Sequence, residues 1–200
     1  MIRVPVTSLD KYAAYMDDED FPLDQLLREL RGQVPRTPAM ERGHAFAVAM
    51  EHVGNGSDLL IAEGHAFAFT CDVEIEVWLR RELKAEKDYG GIIVSARCDR
   101  LHGKIIADDK TTESFSKSGV EKYIEKWQWR YYLDIFGAQE FVWHVWECRE
   151  VDAGKYEGVH GWEVFAHHVI RNYRYPELEA ECREFALSFK QFAERASIYA

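Results

Sequence analysis

The sequence predicts an α/β fold in which a central mixed β-sheet is flanked by helices. Three observations predict it. The apolar pattern switches between a helical period near 3.6 and a strand period of two, in the order helix, strands, helix, strand, helix. The runs Ile92 to Asp99 and Lys104 to Lys110 flank the turn Leu101-His102-Gly103 and read as a hairpin. The chain has 200 residues, of which 47% are hydrophobic and 30% charged, so it is long enough to bury one core without disulfide staples.

Taken in order, Leu23, Leu26, Leu27 and Leu30 recur at helical spacing, and Gly32 supplies the stop. After a loop marked by Pro35 and Pro38, a second helix is expected from about Ala39 to Val53, closed by Gly54-Asn55-Gly56-Ser57. From Leu59 to Leu83 the alternation, with Phe67-Ala68-Phe69-Thr70 and Val73 to Trp78, predicts strands. Asp88-Tyr89-Gly90-Gly91 predicts a turn before the hairpin. One helix is expected from about Ser118 to Phe136, stopping at Gly137. Phe141 to Cys148 reads as a buried strand and Val164 to Ile170 as another. The stretch after Pro176, with Leu178, Cys182, Phe185, Leu187, Phe189 and Phe192, reads as a long closing helix with proline in its first turn. No linker interrupts this order. A single domain is expected, with N-terminal helices over 1–57, a core over about 58–150, and a closing strand and helix over 151–200. Gly43-His44-Ala45-Phe46-Ala47 returns as Gly64-His65-Ala66-Phe67-Ala68, but one copy falls in a helix and the other in a strand, so no structural repeat is expected.

Composition excludes several classes. No apolar run reaches membrane-spanning length, and Met1-Ile2-Arg3-Val4-Pro5 lacks the features of a secretory leader. Cys71, Cys98, Cys148 and Cys182 show no paired spacing, so reduced thiols in a cytoplasmic protein are expected, without a disulfide frame or zinc site. His167 and His168 are adjacent rather than one helical turn apart, and His144, between Trp143 and Val145, reads as a strand residue. The net charge of −10 does not itself favour a polyanionic partner, but phosphate binding draws on local patches. Lys122, Lys126 and Arg130 recur every fourth residue and would line one side of a helix. With Glu121 and Glu125 beside them, they fit a phosphate-tracking stripe or a solvated face with salt bridges.

The hairpin carries the chemistry. Side chains two apart on a strand share a face, so Asp108 and Lys110 point one way and Asp109 to the other side or to the strand edge. Cross-strand Cβ atoms lie roughly 5 Å apart, which lets Asp99 and Asp108 reach one ion. Hard oxygen ligands at a sheet end suit Mg2+ or Mn2+, with the Asp109 carbonyl as a further ligand. Such an ion would polarise a phosphoryl oxygen and acidify bound water, while Lys110 would orient that water or stabilise developing charge. The expected chemistry is phosphodiester hydrolysis without a serine or cysteine nucleophile. Glu82-Leu83-Lys84 also spells carboxylate-x-lysine, but it sits in a charged segment before a turn, whereas Asp108 closes an apolar strand behind an upstream aspartate.

A strand aspartate (Asp99), a strand ending in Asp108-Asp109-Lys110, then Thr111-Thr112, then Gln128 and Tyr132 four apart on a helix form an ordered set. In this the chain resembles the PD-(D/E)XK nuclease superfamily, in particular the branch of the RecB nuclease domain, lambda-type phage exonucleases and CRISPR-associated adaptation nucleases. Cys98 stands where that pattern usually has proline. The likeness covers roughly residues 39–136 with motifs and the rest by element order. It implies a restriction-endonuclease-like core, Mg2+ or Mn2+, and DNA contacted by Thr111, Thr112, Gln128 and Tyr132. It also implies an N-terminal helix carrying Gly43 and a residue near the metal. Glu51 is the first candidate, Ala47 stands where many relatives place histidine, and His44 and His52 are alternatives. Some RecB-like relatives hold an iron–sulfur cluster on a late cysteine group that is missing here, so none is expected. Gln128 and Tyr132 also fit a simpler role, as a polar neighbour and a core aromatic beside Trp129 and Tyr131.

The expected function is therefore a metal-dependent DNA nuclease, first of all an exodeoxyribonuclease of phage or prophage type in recombination or end processing. The resemblance further implies a homo-oligomer and a single-strand annealing or recombination protein as partner. A structure-selective or nicking endonuclease of the same fold, and a nuclease-derived binding or assembly protein without turnover, are the other readings. No Gly-x-x-x-x-Gly-Lys loop of a helicase motor occurs in the sequence.

Overall fold

A computed structural model describes residues 2–51, 59–71, 80–152, 156 and 158–198. Its elements are β1 (Ile2–Pro5), α1 (Val6–Asp17), α2 (Leu23–Leu30), α3 (Pro38–Glu51), β2 (Leu59–Ala62), β3 (His65–Phe69), β4 (Arg80–Asp88), β5 (Ile92–His102), β6 (Ile105–Thr112), α4 (Lys117–Ile124), α5 (Trp127–Ile135), β7 (Glu140–Val151), β8 (His160–Tyr173) and α6 (Leu178–Arg195). The described strands form one mixed sheet in the order β1-β5-β6-β7-β8-β3-β2, with β4 paired to β5. The mixed α/β architecture is the one the sequence predicts. Among the described residues, no helix is long and apolar enough to cross a membrane.

Strand alternation divides the interior into two cores. Phe141, Trp143 and Val145 of β7 enter the larger one, with Leu9 of α1, Tyr131 and Leu133 of α5, and Phe189 of α6. Trp146, on the other side of β7, enters a smaller core with Phe46 of α3, Phe67 of β3 and Val164 of β8. Helices therefore cover both faces, α3 on one and α1, α5 and α6 on the other.

Several expectations need correction. The single helix expected over 118–136 is two helices, because Lys126 is extended (φ −58°, ψ 140°). The break comes from α1, where one Asp10 carboxylate oxygen accepts the backbone N–H groups of Trp127 (2.7 Å) and Gln128 (3.0 Å) and so caps a new helix. The stripe of Lys122, Lys126 and Arg130 is broken with it. α1 falls within the N-terminal helical region expected over 1–57 but ahead of the first helix assigned from its leucines, and β1 is a strand where only helix was expected. Pro176 precedes Glu177, the N-cap of α6, and so stands just outside the first turn. The segment 82–84 belongs to β4, which pairs with β5 as far as Asp88. The expected turn at Gly54–Ser57 and strand at Val73–Trp78 lie outside the described residues.

One feature of the sheet positions the site. β1 runs parallel to β5 at Ile92–Ser95, and β6 runs antiparallel to it at Arg100–His102. Because β4 occupies one side of β5 along most of its length, β1 and β6 share the other. Between them, residues 96–99 have no described strand on that side.

Candidate active site

The gap between β1 and β6 is where the chemistry-bearing side chains meet. Pairing of β5 and β6 stops at Arg100 and Ala107, one step short of Asp99 and Asp108. There the strands part, and the Asp109 N–H donates to Asp99 Oδ2 (3.3 Å) in place of a ladder bond. The N–H and C=O of one extended residue leave the same strand edge, so the Asp109 carbonyl opens on this side too.

Asp108 is buried beneath the gap. Its Oδ1 accepts a hydrogen bond from Gln128 Nε2 (3.0 Å), and its Oδ2 forms an ion pair with Lys110. The Lys110 ammonium also lies over Trp143, 5.4 Å from the ring centroid. On the opposite face, Asp109 Oδ1 accepts from Arg100 Nη2 (2.6 Å) and Trp146 Nε1 (2.8 Å). Tyr132 donates to the Arg97 carbonyl (2.7 Å), tying α5 to the strand that bears Asp99. Asp99, Asp108, Lys110, Gln128 and Tyr132 all line a cleft of about 450 Å³. Pro5–Thr7, Lys84, Glu86 and Arg97 form further parts of its wall.

Electrostatics in the cleft are unbalanced. Burial, and then the neighbouring Asp108 carboxylate, push the Asp99 carboxyl up to about 7, against the opposing effect of Lys110. Burial disfavours the Lys110 charge, but the Asp108 and Asp99 carboxylates outweigh it and hold the ammonium above its usual range. Two converging carboxylates thus share one cation. Among the described residues, no group of three His, Cys, Asp or Glu side chains forms a full metal cage. Two carboxylates and a carbonyl beside an open cleft fit a hard divalent ion that keeps waters or takes phosphate oxygens.

The other expected residues are placed as follows. Thr111 lies under α3, where a Cβ added at Gly43 would be 3.7 Å from its Oγ1. Thr112 Oγ1 donates to the Ser114 carbonyl (2.8 Å). Glu51 is exposed at the end of α3 and His44 is exposed on the same helix; neither lines the cleft. His52 lies outside the described residues. The Lys126 ammonium lies over the Trp143 ring that Lys110 also faces (5.7 Å), and burial lowers its pKa despite Asp10 nearby. Lys122 lines a separate groove beside α1. Arg130 donates to the carbonyls of Glu125 (2.9 Å) and Lys126 (2.8 Å). His144 pairs with His167 (Nδ1 to Nε2, 2.9 Å), and burial takes the two down to about 3 and about 4, leaving both neutral near pH 7.

Asp10, Lys84, Glu86 and Arg97 were not singled out from the sequence. Val6, Leu9 and Tyr12 at helical spacing could have announced α1, but nothing local marks Asp10 as the cap of a helix over a hundred residues away. Lys84, Glu86 and Asp88 alternate with Leu83, Ala85 and Lys87, a strand signal hidden by the density of charge.

No protein-family model matches the chain, and no curated protein matches it. Solved structures do match in fold. One is a phage-related exonuclease from Haemophilus somnus 129PT, with 12% identity, a TM-score of 0.53, and coverage of 97% of this chain and 96% of that one. Another is LHK-Exo, an alkaline exonuclease from Laribacter hongkongensis, in complex with dAMP. It shows 15% identity, a TM-score of 0.52, and coverage of 98% and 89%.

Proposed function

We propose that this chain, which has the PD-(D/E)XK fold of those exonucleases, is a metal-dependent deoxyribonuclease that removes nucleotides from DNA ends. The observation that carries the reading is the convergence of the Asp99 and Asp108 carboxylates with the Lys110 ammonium at one open cleft. Asp99, Asp108 and the Asp109 carbonyl would hold Mg2+ or Mn2+. Once bound, the ion supplies Lewis acidity toward a phosphoryl oxygen and makes water easier to deprotonate.

The chain's own residues supply the rest. Lys110, drawn to Asp108, places an ammonium where charge develops on the phosphoryl oxygens. Gln128 fixes one Asp108 oxygen, which orients the carboxylate, and Tyr132 fixes the strand carrying Asp99. The dAMP complex of LHK-Exo, which has the same fold, supports DNA as the substrate.

The test is incubation with end-labelled linear duplex, single strands and closed circles, with magnesium or manganese and then with chelator. Loss of linear DNA alone, in metal alone, is the expected result. Nicked circles would move the assignment to an endonuclease, and binding without cleavage in either metal would make the chain a nuclease-like binding protein.

A further inference from the structure

Lys126 stands where the rules of helix ends disfavour it. It is the N-cap of α5, a position that favours a short side chain able to accept the free N–H groups, yet it makes no such bond. It also brings a cation to the positive end of the helix dipole. Asp10 of α1 supplies the missing acceptor, to the N–H groups of Trp127 and Gln128. The Lys126 ammonium lies instead over Tyr123 (5.8 Å) and over Trp143 (5.7 Å), the ring that the Lys110 ammonium also faces (5.4 Å). Lys126 and Asp10 line the groove beside α1, whereas Lys110 lines the cleft, where it pairs with Asp108. The two sites are nevertheless coupled. Burial disfavours the Asp10 charge, and two cations offset this, Lys126 more strongly than Lys110. Burial also disfavours the Lys126 charge, which Asp10 sustains and Lys110 opposes.

We infer that Lys126 is a positioning residue for the Lys110 ammonium: it balances the Asp10 carboxylate from the groove side, so that Lys110 stays with Asp108 at the cleft. The inference rests on the nuclease reading, in which Lys110 serves the phosphoryl oxygens, and it gives Lys126 a role through Lys110 rather than through a phosphate. Without Lys126, the Asp10 carboxylate keeps its two N–H donors but loses the stronger of its two cations. Lys110 is then the cation left to it, freed from the repulsion of a second ammonium beside Trp143. Its flexible stem lets it answer that pull, and the ammonium leaves the place where charge develops. A misplacement of about 1 Å at a catalytic group costs about 10²-fold in rate.

The experiment compares wild type, Lys126→Met, Lys126→Arg, Asp10→Asn and the double variant of Lys126→Met with Asp10→Asn. Cleavage of end-labelled linear duplex in magnesium or manganese gives kcat and KM. Nuclear magnetic resonance of isotope-labelled lysine Cε groups in chelator reports where Lys110 lies relative to the Trp143 ring, its signal being identified by loss in Lys110→Arg. Thermal melts establish that each variant is folded. Lys126→Met should lower kcat roughly tenfold to 10²-fold with KM unchanged, and should shift the Lys110 signal. Lys126→Arg should restore most of the rate. Adding Asp10→Asn to Lys126→Met should restore rate and signal together, because the amide oxygen still caps α5 and no longer attracts Lys110; a lysine that merely stabilised the fold would not be rescued by removing a carboxylate. A raised KM with kcat intact would make Lys126 a DNA-backbone contact and overturn the inference. A double variant no faster than Lys126→Met, or a Lys110 signal that stays in place, would overturn it too. If wild type cleaves in neither metal, the nuclease reading falls, and the positioning is decided by the Lys110 signal across the same proteins.

Discussion

Replacing Arg100 by methionine strands the Asp109 carboxylate. The two side chains are 9% and 4% exposed and meet at 2.6 Å, and Trp146 Nε1 is the other donor to the same oxygen. Removing one partner of a buried ion pair costs about 3–5 kcal/mol, because the remaining charge loses its partner without regaining water. At about 2–4 °C per kcal/mol for a chain of this size, Arg100→Met should lower the melting temperature by roughly 6–20 °C. Arg100→Met with Asp109→Asn should recover most of that, since the amide oxygen still accepts from Trp146 and no charge is stranded. The expected coupling energy is at least about 2 kcal/mol. The defect of Arg100→Met should also shrink as the pH falls toward 5, because burial already raises the Asp109 pKa and protonation removes the stranded charge. Thermal and urea melts of the four proteins measure this. A single variant within about 1 kcal/mol of wild type, or a double variant no more stable than the single, would refute the reasoning.

Other predictions follow from the same geometry. Asp108→Asn should abolish cleavage while leaving the far-ultraviolet circular dichroism unchanged; undiminished turnover would remove Asp108 from the chemistry. Gln128→Leu, which deletes the 3.0 Å bond to Asp108, should lower kcat by about 10²-fold with little change in KM; a change confined to KM would place Gln128 in substrate binding alone. Asp10→Ala should cost about 1–2 kcal/mol through the lost cap and also depress kcat through Gln128, whereas Asp10→Asn, which keeps an acceptor, should restore most of both. The metal-free protein should lose stability as pH rises from about 4 through about 7, because folded Asp99 keeps a proton that the unfolded chain has released. Melts in chelator should show this fall in wild type and not in Asp99→Asn, and equal slopes in the two would contradict it.

What the sequence discloses is what is local. Asp99, Asp108 and Lys110 could be grouped because a two-residue turn, Gly103-Lys104, joins their strands, so strand period and turn chemistry together set their faces. The start of α5 could not be read, because 126–128 carry no breaker and the capping group comes from position 10. β1 is only four residues long, and its partner, Ile92–Ser95, lies some ninety positions on. Lys84 was set aside with Glu82 and Leu83 as the lead-in to a turn, whereas its place on the cleft is fixed by register with Arg97. Glu51 shows a different limit: helix α3 forms where its pattern predicts, on the face bearing Trp146, and the residue ends exposed and is not among those that line the cleft.

The bond from Asp10 to the Gln128 amide spans 118 positions of chain. Long-range closures of this kind are slow to form, so a partly folded chain would lack the start of the very helix that presents Gln128 to Asp108. Cutting power would then arrive only with the whole tertiary structure. Under the proposed nuclease function, incomplete copies would be harmless to the cell that makes them.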